Sequence, residues 1–347
     1  MSYLAGKMVL AVEAGAPNNA GSDVAVRTLV HTKTARIRGG TYPYVSAQAV
    51  RRWLRDVMAE DGHEPSPIER SGSGARQKVT TAADPVLYSD DDLFGYMRAA
   101  ERAEGADTTV RESVFMLGTA MSVEPVRVTR DFGVRAVPDG DPVIHEHEFY
   151  TADLAAPFLL DVAHVGVFTI GGGGRLNYLD RQIAGHLKDG KVEQISFRGR
   201  VAVALPLPER RRRVAALLRA LAELAGGAKR ALHYGDRVPA LVLLVPMAGG
   251  LNPLGSVIAG NADGSGLAVR GDVLASELAA YEGEWSPPVV VGWRPGWRED
   301  LRVGFEADVA HLVTDGALRI GHPRSALRQV ADEVEAGSFD AWFDTAP

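Results

Sequence analysis

The 347-residue sequence contains no cysteine. Disulfides and thiolate metal sites are therefore excluded. No apolar run reaches the roughly 18 residues that a membrane-spanning helix needs. The N-terminus, MSYLAGKMVLAVEAGAPNN, has one early lysine and a short apolar patch but no long signal-like core, and reads as a first strand. A cytoplasmic location with no membrane partner is the expectation. Acidic residues are missing from one place in particular. Residues 27–55 hold seven Lys or Arg and no Asp or Glu, in a chain of formal net charge −6. The stretch carries +7, so the other residues sum to −6 − 7 = −13. A folded chain that separates charge this way presents a local basic surface to something anionic, and a nucleic-acid backbone is the partner it suggests.

Hydrophobic residues make up 46% and charged residues 24%, which is ordinary for a globular protein of one large or two medium domains. Residues 8–14 read as a short buried strand, and Pro17, Asn18, Asn19 and Gly21 as a turn-rich loop. Residues 24–38 alternate like a strand pair broken by Gly39, Gly40 and Pro43. Ser46 is a good N-cap for a helix running to about Met58, with Val50, Trp53, Leu54 and Val57 on its apolar face. Residues 60–82 are polar and rich in Gly, Pro and Ser, as in an insertion. A short helix is expected over 90–103, strands over 113–130, and a hairpin over 130–150 with Pro138 to Pro142 at its tip. Further strands are expected at 158–170, 196–208 and 238–247. Residues 209–225 repeat Val214, Leu217, Leu218, Leu221 and Leu224 at helical spacing and stop at Gly226-Gly227. Helices at 267–282 and 324–336, with a strand through PPVVVGW between them, complete the reading. Strands and helices mix without strict alternation, which favours α+β over a doubly wound sheet.

Phosphate binding needs cations on a fixed scaffold with hydroxyl and amide donors nearby. Lys33, Arg36, Arg38, Ser46, Gln48, Arg51, Arg52 and Arg55 supply these, with Asn18 and Asn19 of the preceding loop as further amide donors. A solvated face is the usual fate of a charge run, but the lack of any compensating acid favours function. GGAKRALHYG at 226–235 offers a second cradle from Gly226, Gly227, Lys229, Arg230 and His233, or else a helix stop followed by a basic turn. Arg210 to Arg213 oppose the helix dipole; a bound phosphate would relieve them, and a solvated surface cluster or pairing with acids elsewhere in the fold accounts for them equally well. Gly171 to Gly174 with Arg175 lacks the Lys-Ser/Thr of a P-loop and reads as a plain loop. His145 and His147 share a strand face, but no third metal ligand is evident. Asp-Phe-Gly at 131–133 lacks every other kinase element and is read as chance.

YPYVSAQAVRRWLR, VRVTRDFGV, EHEFYTADLAAPFLLDVAHVGVF and ALAELAGGAKRALHYGDRVPALVLL, in this order, resemble the CRISPR-associated crRNA-binding backbone subunit of type I Cascade, in the DevR branch found in type I-B systems. The resemblance touches most of residues 1–250. It implies an α+β fold: one hand-shaped domain over 1–347 with an RRM-like (ferredoxin-like) palm from 1–59, 113–129 and 151–347. Fingers would be inserted at about 60–112, and a β-hairpin thumb at about 130–150 would carry Arg130, Phe132, Val134 and Arg135. It also implies partners: crRNA, target DNA through the guide, further copies of the chain in a helical filament, and other Cascade subunits. Sequence would be read by base pairing and the protein would hold shape and backbone. No RNP1 pattern is present, so base recognition on the sheet is not expected. No cofactor, metal or catalytic residue is expected. Type III backbone subunits resemble this one and cleave RNA with an acid in the loop before the Pro-Tyr helix, where Asp23 is the only acid; a metal-dependent RNase is thus one alternative. A stand-alone enzyme with a phosphate ligand around Gly226 is the other.

Overall fold

The computed structural model describes residues 1–22, 29–71, 78–98, 109–135, 143–169, 185–261, 263, 264 and 266–344. The first strand, Tyr3–Gly15 (β1), is longer than its apolar core of 8–14 because neighbours pair with it on both sides. Asn19–Ser22 (β2) is a strand rather than a loop, and pairs with Leu29–Thr32 (β3). Thr34–Ile37 (β4) and Gly40–Val45 (β5) form a hairpin. Arg38 and Gly39 turn it with φ of 48° and 82°, the positive pair that a two-residue hairpin loop requires. Ala47–Glu60 (α1) is capped by Ser46 and buries Val50, Trp53, Leu54, Val57 and Met58, a 3–4 spacing that makes one apolar stripe.

The polar 60–82 segment contains a ribbon, Ile68–Ser71 (β6) with Lys78–Thr81 (β7). The helix expected over 90–103 is a short one, Ser89–Phe94 (α2), followed at once by Tyr96–Arg98 (β8), which pairs with Thr109–Arg111 (β9). Phe115–Leu117 (β10) and Ala120–Ser122 (β11) lie side by side along Val143–Asp161 (β13), whose first half forms a hairpin with Thr129–Arg135 (β12). The expected 158–170 strand is broken off at Asp161, and its first four residues and the second arm of the expected hairpin are thus one 19-residue strand. Pro157 is tolerated inside it because its carbonyl, and with it the side of the missing N–H, faces the gap between β10 and β11, where Gly118 donates to it (2.8 Å). Val167–Thr169 (β14) follows a 3₁₀ turn. The single strand expected at 196–208 is a hairpin, Glu193–Phe197 (β15) and Arg200–Ala204 (β16), turned at Arg198 and Gly199, again with positive φ.

Leu207–Ala222 (α3) leads into Leu241–Met247 (β17). The remaining elements are Ile258–Gly260 (β18), Leu267–Val269 (β19), Gly271–Ala280 (α4), Val289–Trp293 (β20), Glu299–Asp308 (α5), Ala310–Thr314 (α6), Leu318–Gly321 (β21) and Pro323–Glu335 (α7). The main sheet runs β21-β20-β17-β1-β13-β11-β5-β4, antiparallel except for β20 with β21. Its centre is β17-β1-β13 with β10 and β11 beside β13, and the chain reaches these strands in the order β1, α1, β10 and β11, β13, α3, β17. One face buries Leu4, Met8, Leu10 and Val12 of β1 against α1, α3 and α7. The other buries Ala5, Val9, Leu243 and Val245 against Leu274, Trp297 and Phe305 of the C-terminal third. Both faces of the central strands are therefore closed, each large aliphatic side chain contributing about 1.5–3 kcal/mol, and neither is open to a nucleic acid.

Candidate nucleic-acid interface

The basic stretch divides in the fold. Arg36 and Arg38 are exposed on the β4–β5 hairpin, and neither makes an ion pair among the described residues. Lys33 is half-buried and ties this hairpin to the first loop: its amide donates to the Asn18 carbonyl (3.0 Å) and its carbonyl accepts from Tyr44 (3.0 Å). On α1, the Ser46 hydroxyl accepts from the Ala49 amide (3.4 Å), and Gln48 is exposed one residue into the helix. Arg51 is half-buried, and its Nε has no hydrogen-bond partner among the described residues. Burial, and then the charge of Arg55, pull its guanidinium below its ordinary pKa. An anion would relieve both effects. Arg52 is exposed and, among the described residues, pairs only with Asp56, four residues on (2.9 Å). Arg55 is committed elsewhere: it pairs with buried Asp90 (3.4 Å) and lies over the Phe94 ring (4.7 Å), joining α1 to α2.

The 226–233 loop returns to the same region. Gly226 has φ of 145°, and a Cβ there would stand 2.4 Å from the Trp53 ring of α1. Only glycine allows that approach. The next turn is hung on the first loop, with the Ala228 amide donating to the Pro17 carbonyl (3.0 Å). The Lys229 carbonyl then accepts from Leu232 (3.0 Å) and His233 (2.9 Å), closing a tight turn. The His233 ring meets His147 edge-on at 4.7 Å and lies 5.2 Å from Phe149, both on the β13 arm of the hairpin. Four segments distant in sequence thus converge: Pro17 to Asn19, α1, the 226–233 loop and the root of the β12–β13 hairpin. Arg230 is exposed at this junction, while burial lowers the Lys229 pKa and Glu148 partly restores it.

Hydrogen-bonding capacity is left over here. Asn18 Nδ2, Asn19 Oδ1, Arg51 Nε, both nitrogens of His147, Tyr150 Oη, His233 Nε2, and Nε and Nη2 of Arg237 are buried without a hydrogen-bond partner among the described residues. His147 Nε2 comes within 3.4 Å of Asp131, but burial and Lys229 keep its pKa below the ordinary value. Buried polar groups are normally paired. A concentration of unspent donors and acceptors beside exposed cations suits a ligand that carries anionic oxygens and hydroxyls. The nearby acid is already occupied, since Glu148 accepts from His31 (2.9 Å) and from the Thr32 amide (3.0 Å). Sequence reasoning missed Tyr150 and Arg237. Arg237 follows Asp236 and reads as a neutralised pair, and only the fold shows it 3% exposed.

The hairpin projects apolar surface. Arg130, Phe132 and Val134 alternate along β12, with Phe132 66% and Val134 63% exposed. Arg135 pairs through its backbone with Val143. The tripeptide at 131–133 is part of this strand. His145 and His147 stack at 6.2 Å, and among the described residues no group of three His, Cys, Asp or Glu could hold a metal.

Arg210 to Arg213 are not a phosphate site; the fold resolves their charge internally. Arg210 donates to the carbonyls of Val165, Ala163 and Phe343. Arg211 pairs with Asp340, Arg212 with Glu209, and Arg213 with Asp92 and Glu209. Arg27, Asp23, the 136–142 tip and the Gly171 to Arg175 loop lie outside the described residues.

A family model described as "CRISPR-associated negative auto-regulator DevR/Csa2" matches residues 12–234. No curated protein matches the chain. Among solved structures, a chain of a "CRISPR RNA-guided surveillance complex" is similar at 14% identity and a TM-score of 0.50, covering 97% of this chain and 100% of that one. A chain of a second, "CRISPR RNA-guided surveillance complex, pre-nicking", gives 12% identity and a TM-score of 0.51 with the same coverage. At these identities the likeness is one of fold.

Proposed function

The chain belongs to the family of the CRISPR-associated negative auto-regulator DevR/Csa2, and we propose that it is a crRNA-binding backbone subunit of a type I, Cascade-like effector of the I-B kind. The observation that carries this reading is the junction itself, where the first loop with Asn18 and Asn19, the helix that carries Arg51, and the turn of Lys229, Arg230 and His233 come together at the root of a projecting hairpin. In this reading the antiparallel centre β17-β1-β13-β10/β11, with α1 and α3 as its two crossovers, is an RRM-like palm. Residues 60–112 are the fingers and 130–150 the thumb. The guide runs along the palm edge rather than over the sheet, whose faces are closed. Arg36 and Arg38 extend the cationic track, and Arg55 holds the scaffold. Phosphates are gripped by Arg and Lys, and 2′-hydroxyls by the amide and imidazole groups. Exposed Phe132 and Val134 give the thumb an apolar face for a neighbouring copy, so that subunits polymerise along the RNA. Target DNA is then read by base pairing to the guide. The chain performs no catalysis.

The test is co-expression with a CRISPR-array transcript. Wild-type protein should co-purify with guide-length RNA. Arg51→Glu with Lys229→Glu should fold normally, with melting unchanged, and lose that RNA. Retention of the RNA by the folded double variant would overturn the assignment.

A further inference from the structure

Tyr234 is 79% exposed, and Leu232, two residues earlier, is 59% exposed. Single exposed apolar side chains are common on protein surfaces, but these two stand together on one short turn in unusual company. Lys229, Arg230 and Arg237 surround them in sequence, with Asp236 as the one acid between 229 and 237. The turn is also rigidly mounted. Gly226 rests on Trp53, Ala228 on the Pro17 carbonyl, and His233, next to Tyr234, against His147 and Phe149. An aromatic ring held out from a pinned, cationic turn has its faces free, and its mounting prepays the ordering cost of binding. Cations nearby select a polyanion, and a bare ring selects a flat π-system. Single-stranded nucleic acid has both.

We propose that Tyr234, flanked by Leu232, is a stacking platform for one unpaired base of the bound RNA, at the point where the thumb leaves the palm. This rests on the RNA-binding reading and adds a non-electrostatic contact to it. Stacking tolerates any base, because each has a π-face, so the contact adds affinity without sequence preference.

The experiment measures binding of a fluorescent single-stranded RNA across a salt series, for wild type, Tyr234→Ala, Tyr234→Phe, Tyr234→Trp and Arg230→Gln. Tyr234→Ala should weaken binding roughly 5- to 150-fold at every salt concentration, the range for loss of one stacked base, with no change in the slope of log K against log salt. Tyr234→Phe and Tyr234→Trp should restore affinity. Arg230→Gln should instead lower the slope by about 0.7, one phosphate on a single strand. Wild-type affinity in Tyr234→Ala would overturn the stacking proposal and leave the RNA reading standing. So would an equal loss of affinity in Tyr234→Ala and Tyr234→Phe, which would make the hydroxyl rather than the ring the contact. Unchanged RNA affinity with lost self-assembly would assign the ring to a protein neighbour. Failure of the wild-type protein to bind RNA would remove the functional reading, and the proposal with it.

Discussion

Replacing Arg213 by methionine should destabilise the protein by about 4 kcal/mol and leave its RNA affinity unchanged. Arg213 is 1% exposed at the side chain, as is Arg111, and both pair with fully buried Asp92. Its guanidinium also donates to the carbonyls of Pro85 (2.6 Å) and Val86 (2.8 Å), and to Glu209 (2.9 Å). Breaking a buried ion pair from one side costs about 3–5 kcal/mol. Asp92 keeps Arg111 and the Gly166 amide (2.9 Å) in the variant, so the lower end applies to the pair. The two carbonyls left without donors add about 1 kcal/mol. With an unfolding entropy of about 2.1 cal/mol/K per residue, 347 residues give roughly 0.7 kcal/mol per degree. A 4 kcal/mol loss therefore lowers the melting temperature by about 6 °C. Arg212→Ala is the control, since that side chain is 45% exposed and pairs with partly exposed Glu209. Such a pair is worth at most about 1 kcal/mol, or about 1 °C. Calorimetry and RNA binding at 20 °C separate the outcomes. An Arg213→Met protein that melts like wild type but has lost RNA would refute this reasoning and restore a phosphate site at the helix start.

Gly226→Ala should push the 226–233 loop off Trp53, because the added carbon meets the ring at 2.4 Å and φ is 145°; a loss of roughly 2–3 kcal/mol and weaker RNA binding should appear together, and an unchanged RNA affinity would detach the loop from the site. His164 should make the fold acid-sensitive. Burial, then Arg111, Arg198 and Arg210, push its pKa down from 6.5 to about 2. The unfolded chain takes up this proton near pH 6.5 and the folded chain only near pH 2, so stability is complete above pH 6.5 and falls as pH drops through the interval. Between pH 6.5 and 4.5 the loss is about 2 kcal/mol, the slope rising to about 1.36 kcal/mol per unit as the unfolded chain becomes fully protonated. His164→Asn should flatten that part of the stability profile, and parallel wild-type and variant profiles would contradict the account. Phe132→Ser with Val134→Ser should leave melting unchanged, since both side chains are over 60% exposed, while sedimentation shows fewer copies assembled on RNA.

Elements with strong local signals were legible in the sequence. The Ser46 cap, the stripe from Val50 to Met58, the leucine repeat of α3 and the hairpin after Arg130 each carry their own punctuation. The long β13 was not, because residues 151–157, TADLAAP, have little strand propensity and are held extended by β1 on one side and β11 on the other. The short β21 and helices α5 and α6 were equally hidden, their packing on the C-terminal core being a tertiary matter. Charge was legible as an excess but not as an allocation. Arg51, Arg52 and Arg55 look alike in the sequence, yet one is half-buried with its Nε unpartnered among the described residues, one solvated, and one bound to Asp90 and Phe94. Arg210 to Arg213 look like an anion site until Asp92, Glu209 and Asp340 reach them from other elements.

Counting copies on RNA tests the central claim most directly. The purified protein would be mixed with single-stranded RNAs of 20, 40 and 60 nucleotides, unrelated in sequence, and particle masses measured at low and moderate salt. A backbone subunit should add whole 37.1 kDa increments in proportion to RNA length, whatever the sequence, with occupancy falling steeply as salt rises. A single bound copy at every length, or no binding to any of the three, would contradict the account.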